Sequence, residues 1–267
     1  MWNIGPDIAK YKAGNEKRQR ATEEMKNGGA RVQRVRLAPD ELVAIAAYGA
    51  KATWPAGFQL YQRGAAADGV FIVLDGHVLL RNRIKVGRGF VPIIATMGQT
   101  FGSEGLSANS NYVTDANASE ETRTLFLSSE KFRAFVREHP GQALPLLSQT
   151  MSERAYLLEK LHELAALNVD QRLMSTLSHL SDDRAFTTPD GRLRLDNSHH
   201  RLLCEMVGAT RESIALALSR LVSAGIAERD GMTFLIRPGS LKSRHAGGED
   251  ASSSLPLASE ILRPVFP

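Results

Sequence analysis

Only one cysteine, Cys204, occurs in the 267 residues. That excludes an intramolecular disulfide and any four-thiolate iron–sulfur or zinc site supplied by one chain. Long apolar runs are also missing. The longest, such as Val70–Leu74, fall far short of the roughly 20 residues that span a bilayer. Met1–Pro6 has neither the basic start nor the apolar stretch of a secretory leader, so the chain is expected in the cytoplasm. Histidine is scarce where a barrel metalloenzyme needs it. A cupin-like centre takes about two or three His and a carboxylate, yet His77 is the only histidine between Lys51 and Leu127. No Ser-His-Asp pattern, P-loop or strand-borne GxGxxG is evident. The sequence therefore predicts no enzyme, no catalytic residue and no metal, with a cupin-like metalloenzyme as the weakest alternative.

What is present is an ordinary folded composition, 43% apolar and 23% charged, long enough for two modest domains. A net charge of +4 and a pI near 9.3 favour an anionic partner. Residues 1–38 form a basic arm with no sustained apolar face. Its charges and glycines predict a flexible or weakly helical segment that either touches phosphate or is simply solvated. A short amphipathic helix begins near Pro39. From Lys51 to Leu127, strand-like runs (58–61, 70–74, 78–80, 90–94, 124–127) alternate with glycine-bearing turns, which predicts an antiparallel barrel or jelly roll. Pro92 belongs at an edge or bulge, because it cannot donate to a ladder.

Helical periodicity returns at Phe132, Phe135 and Val136, breaks at Pro140-Gly141, and resumes in a long helix. Leu147, Met151, Arg154, Leu158, Leu161 and Ala165 are spaced alternately by four and three residues, a mostly apolar seam of the kind that pairs two helices. Leu157 adjoins the seam. The alternative is a helix packed within its own chain. Asn168 is the N-cap of a following helix bearing Leu173, Leu177 and Leu180.

A short amphipathic segment over 199–207, the turn Gly208-Ala209 and a second helix from Thr210 to Leu221 have helix-turn-helix spacing. Leu203, Val207, Ile214, Leu218 and Leu221 supply its core. Thr210 is a natural N-cap, which leaves Arg211, Glu212 and Ser213 on the first turn, the part that enters a major groove. Arg can donate twice to guanine, and Glu can accept from cytosine N4. A solvated helix start with an acid near its N-terminus is the bland alternative. Two strands around Asp230-Gly231 add a wing. His199 and His200 open the first helix, where contact with phosphate or plain solvation is expected. Cys204 reads as a small core residue, with a redox switch as the alternative.

Over roughly residues 40–238 the chain resembles the catabolite activator / fumarate-nitrate regulator family. The resemblance rests on Phe71–Gly76, Gly98–Gly102 with Gly105-Leu106, the Phe132 helix and Val207–Ile214, in that order. It implies an α+β fold: an N-terminal β-roll (a cyclic-nucleotide-binding-like jelly roll) over 39–137, a dimerisation helix over 138–168, and a winged helix-turn-helix over 169–241, while the Ser-, Gly- and Pro-rich composition beyond it predicts a flexible or loosely docked tail over 242–267. It also implies a cytoplasmic bacterial transcription regulator that binds double-stranded DNA as a homodimer at an inverted repeat and meets RNA polymerase. Arg211 and Glu212 fall on the family's base-reading Arg and Glu, while Leu216 stands where a further Arg is expected.

The same resemblance argues against cyclic AMP as effector. Responsive relatives bring a Glu to the ribose, an Arg-Ser pair to the phosphate and a Thr-Ser pair to the adenine. Here the degenerate pocket is Gly102, Ser103, Glu104, Tyr112 and Val113, with Thr114 the match if no gap is allowed, and the Thr-Ser pair becomes Leu157-Leu158. No guanidinium would meet the phosphate. The expectation is a regulator without a cofactor. The alternative is gating by cyclic AMP, cyclic di-GMP or another small ligand.

Overall fold

The computed structural model describes residues 34–85 and 88–242. Most of the expected arm and nearly all of the tail therefore lie outside the described residues. The end of the arm differs from a free segment. Leu37 is buried in the apolar cluster of the β-roll, and Arg34 donates from Nη1 to the Ile94 carbonyl at 2.7 Å. A leucine has no reason to stay in water once an apolar sheet face lies beside it.

Helix α1 (Pro39–Ala46) begins with proline at its first turn and buries Leu42, Ile45 and Ala46. Two antiparallel four-stranded sheets follow, built from β1 (Ala50–Trp54), β2 (Gln59–Tyr61), β3 (Gly69–Asp75), β4 (His77–Lys85), β5 (Arg88–Thr96), β6 (Thr100–Phe101), β7 (Asp115–Ala118) and β8 (Thr122–Ser128). Their orders are β1-β8-β3-β6 and β2-β7-β4-β5. Strand β3 is buried along nearly its whole length, because it lies between β8 and β6 and both its faces are covered. Pro92 lies on β5, the edge strand of its sheet, where the register with β4 slips between Leu80 and Asn82. The expected edge and bulge coincide there.

Helix α2 (Ser129–Glu138) is capped by the Ser128 hydroxyl and buries Phe135 against the β3–β8 sheet. After one turn of 3₁₀ helix at Pro140–Gln142, α3 (Ala143–Ala166) runs for 24 residues. Asn168 then caps α4 (Val169–Leu180) through a reciprocal box with Gln171.

The C-terminal module comprises β9 (Leu193–Leu195), α5 (His199–Val207), α6 (Arg211–Ser223), β10 (Ala227–Asp230), β11 (Thr233–Ile236) and α7 (Pro238–Lys242). Strand β9 pairs with β11 and makes the wing a three-stranded sheet. One apolar cluster joins Leu173, Leu177, Leu203, Val207, Ile214, Leu218, Leu221 and Ile236. No described helix is long and apolar enough to cross a membrane.

Candidate DNA-reading head and the β-roll interior

The turn between α5 and α6 depends on Gly208, whose φ of 68° closes α5 in the left-handed region that glycine adopts at least cost. Thr210 then caps α6, its hydroxyl accepting from the Ser213 backbone N–H. Ile214, Ala217, Leu218 and Leu221 face inward. Arg211, Glu212 and Leu216 are exposed on the opposite side. Ser213 departs from the expectation of a fully exposed first turn. It is half-buried, and its hydroxyl is bonded to that of Thr210, so it serves the cap. The backbone N–H at the helix start, together with the Thr210 hydroxyl, holds the Glu212 carboxyl below the usual range, so it is ionised and can accept at neutral pH.

The two histidines separate. His200 shares a cleft with Ser219 of α6 and with Arg229 and Phe234 of the wing. His199 faces the other way, bonded to Asp196 and set edge-on against Phe186, in a cleft walled by the β-roll. A helix turns about 100° per residue, so neighbours on α5 cannot share a face. Cys204 sits 3.7 Å from His200 Nδ1 and packs against the module's core, where burial pushes the thiol up and keeps it protonated.

The degenerate pocket is brought together around an aromatic stack. Gly102 adopts φ 69°, and a Cβ there would lie 3.0 Å from the Tyr112 ring and 3.3 Å from Tyr61. Tyr112 is 5% exposed and stacks on Tyr61 with ring centroids 3.7 Å apart; Phe71 and Phe101 continue the aromatic packing. Val113 points outward at 58% exposure, while its backbone N–H donates to Glu104 Oε1. Thr114 is buried beside Tyr112. The gapped correspondence therefore puts a phenol, and the ungapped one a hydroxyl, into the roll; neither supplies a guanidinium. Ser103 is half-buried at the start of the 3₁₀ turn Ser103–Leu106.

Helix α3 carries two stripes. Leu146, Gln149, Tyr156, Lys160 and Glu163 turn inward, with Tyr156 reaching the β-roll's aromatic cluster. Leu147, Met151, Arg154, Leu157, Leu158, Leu161 and Ala165 are all exposed. The inward stripe includes a polar cluster with no signature in the sequence. Lys160 Nζ donates to Glu163 Oε2 at 2.9 Å and to Thr176 Oγ1 at 3.2 Å, and Ser175 donates to Glu163, tying α3 to α4. Among the described residues no group of three or more His, Cys, Asp or Glu is placed to hold a metal.

The described residues thus form a jelly-roll domain, a long helix with an exposed apolar stripe and a winged helix-turn-helix. The comparisons agree. The cyclic nucleotide-binding domain family matches residues 51–139. The chain is 24% identical over 189 residues to the cAMP-activated global transcriptional regulator CRP of Haemophilus influenzae, covering 68% of this chain and 82% of that one. It is 22% identical over 209 residues to the CRP-like cAMP-activated global transcriptional regulator of Mycobacterium tuberculosis, covering 78% and 93%. Two solved structures share the fold at 19% identity. The c-di-GMP responsive global regulator CLP of Xanthomonas campestris has a TM-score of 0.63 and covers 74% of this chain and 98% of its own. FixK2 of Bradyrhizobium japonicum has a TM-score of 0.62 and covers 76% and 99%. Residues 51–139 thus match a cyclic nucleotide-binding domain, the chain shares the fold of CRP/FNR-family structures, and the curated relatives it resembles are transcriptional regulators.

Proposed function

We propose that this regulator acts as a homodimer, reads an inverted repeat in double-stranded DNA through Arg211 and Glu212, and does so without cyclic AMP. The observation that carries the reading is the geometry of α6: a capped helix whose apolar face is buried and whose first turn presents an ionised Glu beside an Arg, with Leu216 one turn on. Leu216 in place of a second cation makes the third contact apolar, suited to a thymine methyl. The exposed stripe of α3, from Leu147 to Leu161, supports the dimer. Two such stripes packed together would remove Leu147, Met151, Leu157, Leu158 and Leu161 from water. His200, which lines a cleft with the wing's Arg229, would approach phosphate, whereas His199 lines the cleft beside the β-roll.

The aromatic stack in the roll supports independence from cyclic AMP. A ligand can shift an equilibrium only by its differential affinity for two states, and the Tyr61–Tyr112 stack offers no cation to a phosphate. As a cytoplasmic regulator the dimer would meet RNA polymerase through surfaces outside α6. Selection of bound sequences from a random DNA pool tests the reading, with ligand-free protein and again with cyclic AMP or cyclic di-GMP. Enrichment of a two-fold symmetric site without ligand is the expected result, with half-sites about 34 to 36 Å apart. Enrichment only with a nucleotide would overturn the ligand-free part of the reading.

A further inference from the structure

The outer face of the β4–β5 hairpin is covered by the chain's own reading head. Leu79, Val91 and Ile94 pack into the same apolar cluster as Leu203, Met206 and Val207 of α5. Charged contacts flank that patch on both sides. On one side Arg81 donates from Nε and Nη2 to Glu205 Oε2 at 3.1 and 2.7 Å, and Arg201 donates from Nε to Oε1 of the same carboxylate at 3.1 Å. The Glu205 side chain is only 6% exposed, so removing its partners would strand a charge. On the other side His77, at the start of β4, places Nε2 3.1 Å from Asp183 Oδ2 just past α4, while its Nδ1 is bonded to Glu120 in the β7–β8 turn. A cleft of about 420 Å³ lies beside these contacts, with His199 and Leu202 on its α5 wall.

Both nitrogens of His77 meet carboxylates, an arrangement that suits the imidazolium, since a neutral ring would point a lone pair at one of them. Burial alone would lower its pKa, but the bonds to Asp183 and Glu120 outweigh that and push it up to about 9. The other titratable or charged groups near this contact include Arg36, which bears on Asp183, and Arg81, Arg201 and His199 around the cleft.

We propose that His77 and Arg81, residues of the β-roll, are positioning residues for DNA recognition: they set the angle at which the reading head presents α6. The proposal rests on the reading of α6 given above. Helix α6 hangs from α5 through the tight turn at Gly208 and a shared core, so whatever fixes α5 fixes α6. Docking through α5 leaves Arg211, Glu212 and Leu216 exposed, so the held form is one that can read. In a dimer a small rotation of each head changes the spacing of the two reading helices against half-sites one helical turn apart. Charged pairs and apolar contacts within the chain thus hold an arrangement that would otherwise need a ligand to select it.

Fluorescence anisotropy on the selected inverted repeat, from about pH 7 to about pH 9.5, tests this. Wild-type affinity is expected to fall about tenfold as the pH rises through 9. His77→Gln should already bind about tenfold more weakly at neutral pH and show a flat profile. Glu120→Gln, at a half-exposed position that tolerates change, should move the fall to lower pH and keeps the test informative if His77→Gln folds poorly. A merely structural His77 would lower the melting temperature of the variants while leaving affinity and pH profile parallel to wild type, and that result overturns the proposal. A wild type that enriches no symmetric DNA overturns the reading of α6, and positioning falls with it. Tight wild-type binding with indifferent variants overturns positioning alone.

Discussion

Tyr112 carries the ligand-free part of the proposed reading. Its ring occupies volume in the roll and brings no positive charge, and Gly102 lets it approach closely by lacking a Cβ. Saturating cyclic AMP should therefore leave the melting temperature unchanged in a thermal-shift assay, where a ligand held a hundredfold above its Kd would add about 2.7 kcal/mol. At the reading helix, Arg211→Ala should cost about 1 to 3 kcal/mol and relax preference at one guanine, as read by repeating the selection. Equal loss on every sequence would mean that Arg211 touches only phosphate. Residues such as Arg211 and Gly208 were legible in the sequence because a cap, a turn and an apolar period lie within a dozen positions of one another. Lys160 and Glu163 were not, since a Lys and a Glu three apart on a helix ordinarily form a solvated face. Here both are buried against α4. Lys160→Met should leave the Glu163 carboxylate with Ser175 alone and cost about 3 to 5 kcal/mol in urea denaturation.

Among the elements, α3 shows how one periodic pattern can conceal another. The exposed seam stands out because large aliphatic residues mark it, whereas the inward stripe mixes Gln149, Lys160 and Glu163 with Leu146 and Tyr156 and so carries no apolar signature. Replacing Leu158 and Leu161 together by Glu should yield a monomer in sedimentation velocity with an unchanged circular dichroism spectrum, because neither side chain enters the described core. Binding to the inverted repeat should fall with it; a dimer that survived both changes would place the subunit contact elsewhere. Strands β1 and β7 escaped the sequence reading for a related reason. Asp115, Ala116, Asn117 and Ala118 are weak strand formers, and pairing between β2 and β4 makes them a strand regardless.

Across the whole molecule, the contacts that matter most join residues more than a hundred positions apart. His77–Asp183 and Arg81–Glu205 span 106 and 124 positions, distances over which no local pattern speaks. The apolar cluster shared by β4, β5 and the reading head should make both domains unfold in one calorimetric transition. Stability should also follow pH at both ends. His77 contributes fully below its unfolded value near 6.5, and that contribution is lost as the pH rises through about 9; Asp183 contributes above 3.8 and fades as the pH falls through about 2. Scanning calorimetry of His77→Gln should show a flatter alkaline limb.

On the ligand-free reading proposed above, the Tyr61–Tyr112 stack has a consequence for timing. A switch thrown by a diffusible signal can reverse as fast as that signal is destroyed, whereas one whose signal site is furnished by its own side chains stays on for as long as the polypeptide exists. Its genes could then be silenced only by withholding or destroying the protein itself, and the memory of each regulatory decision would last as long as dilution by growth or proteolysis takes to erase it.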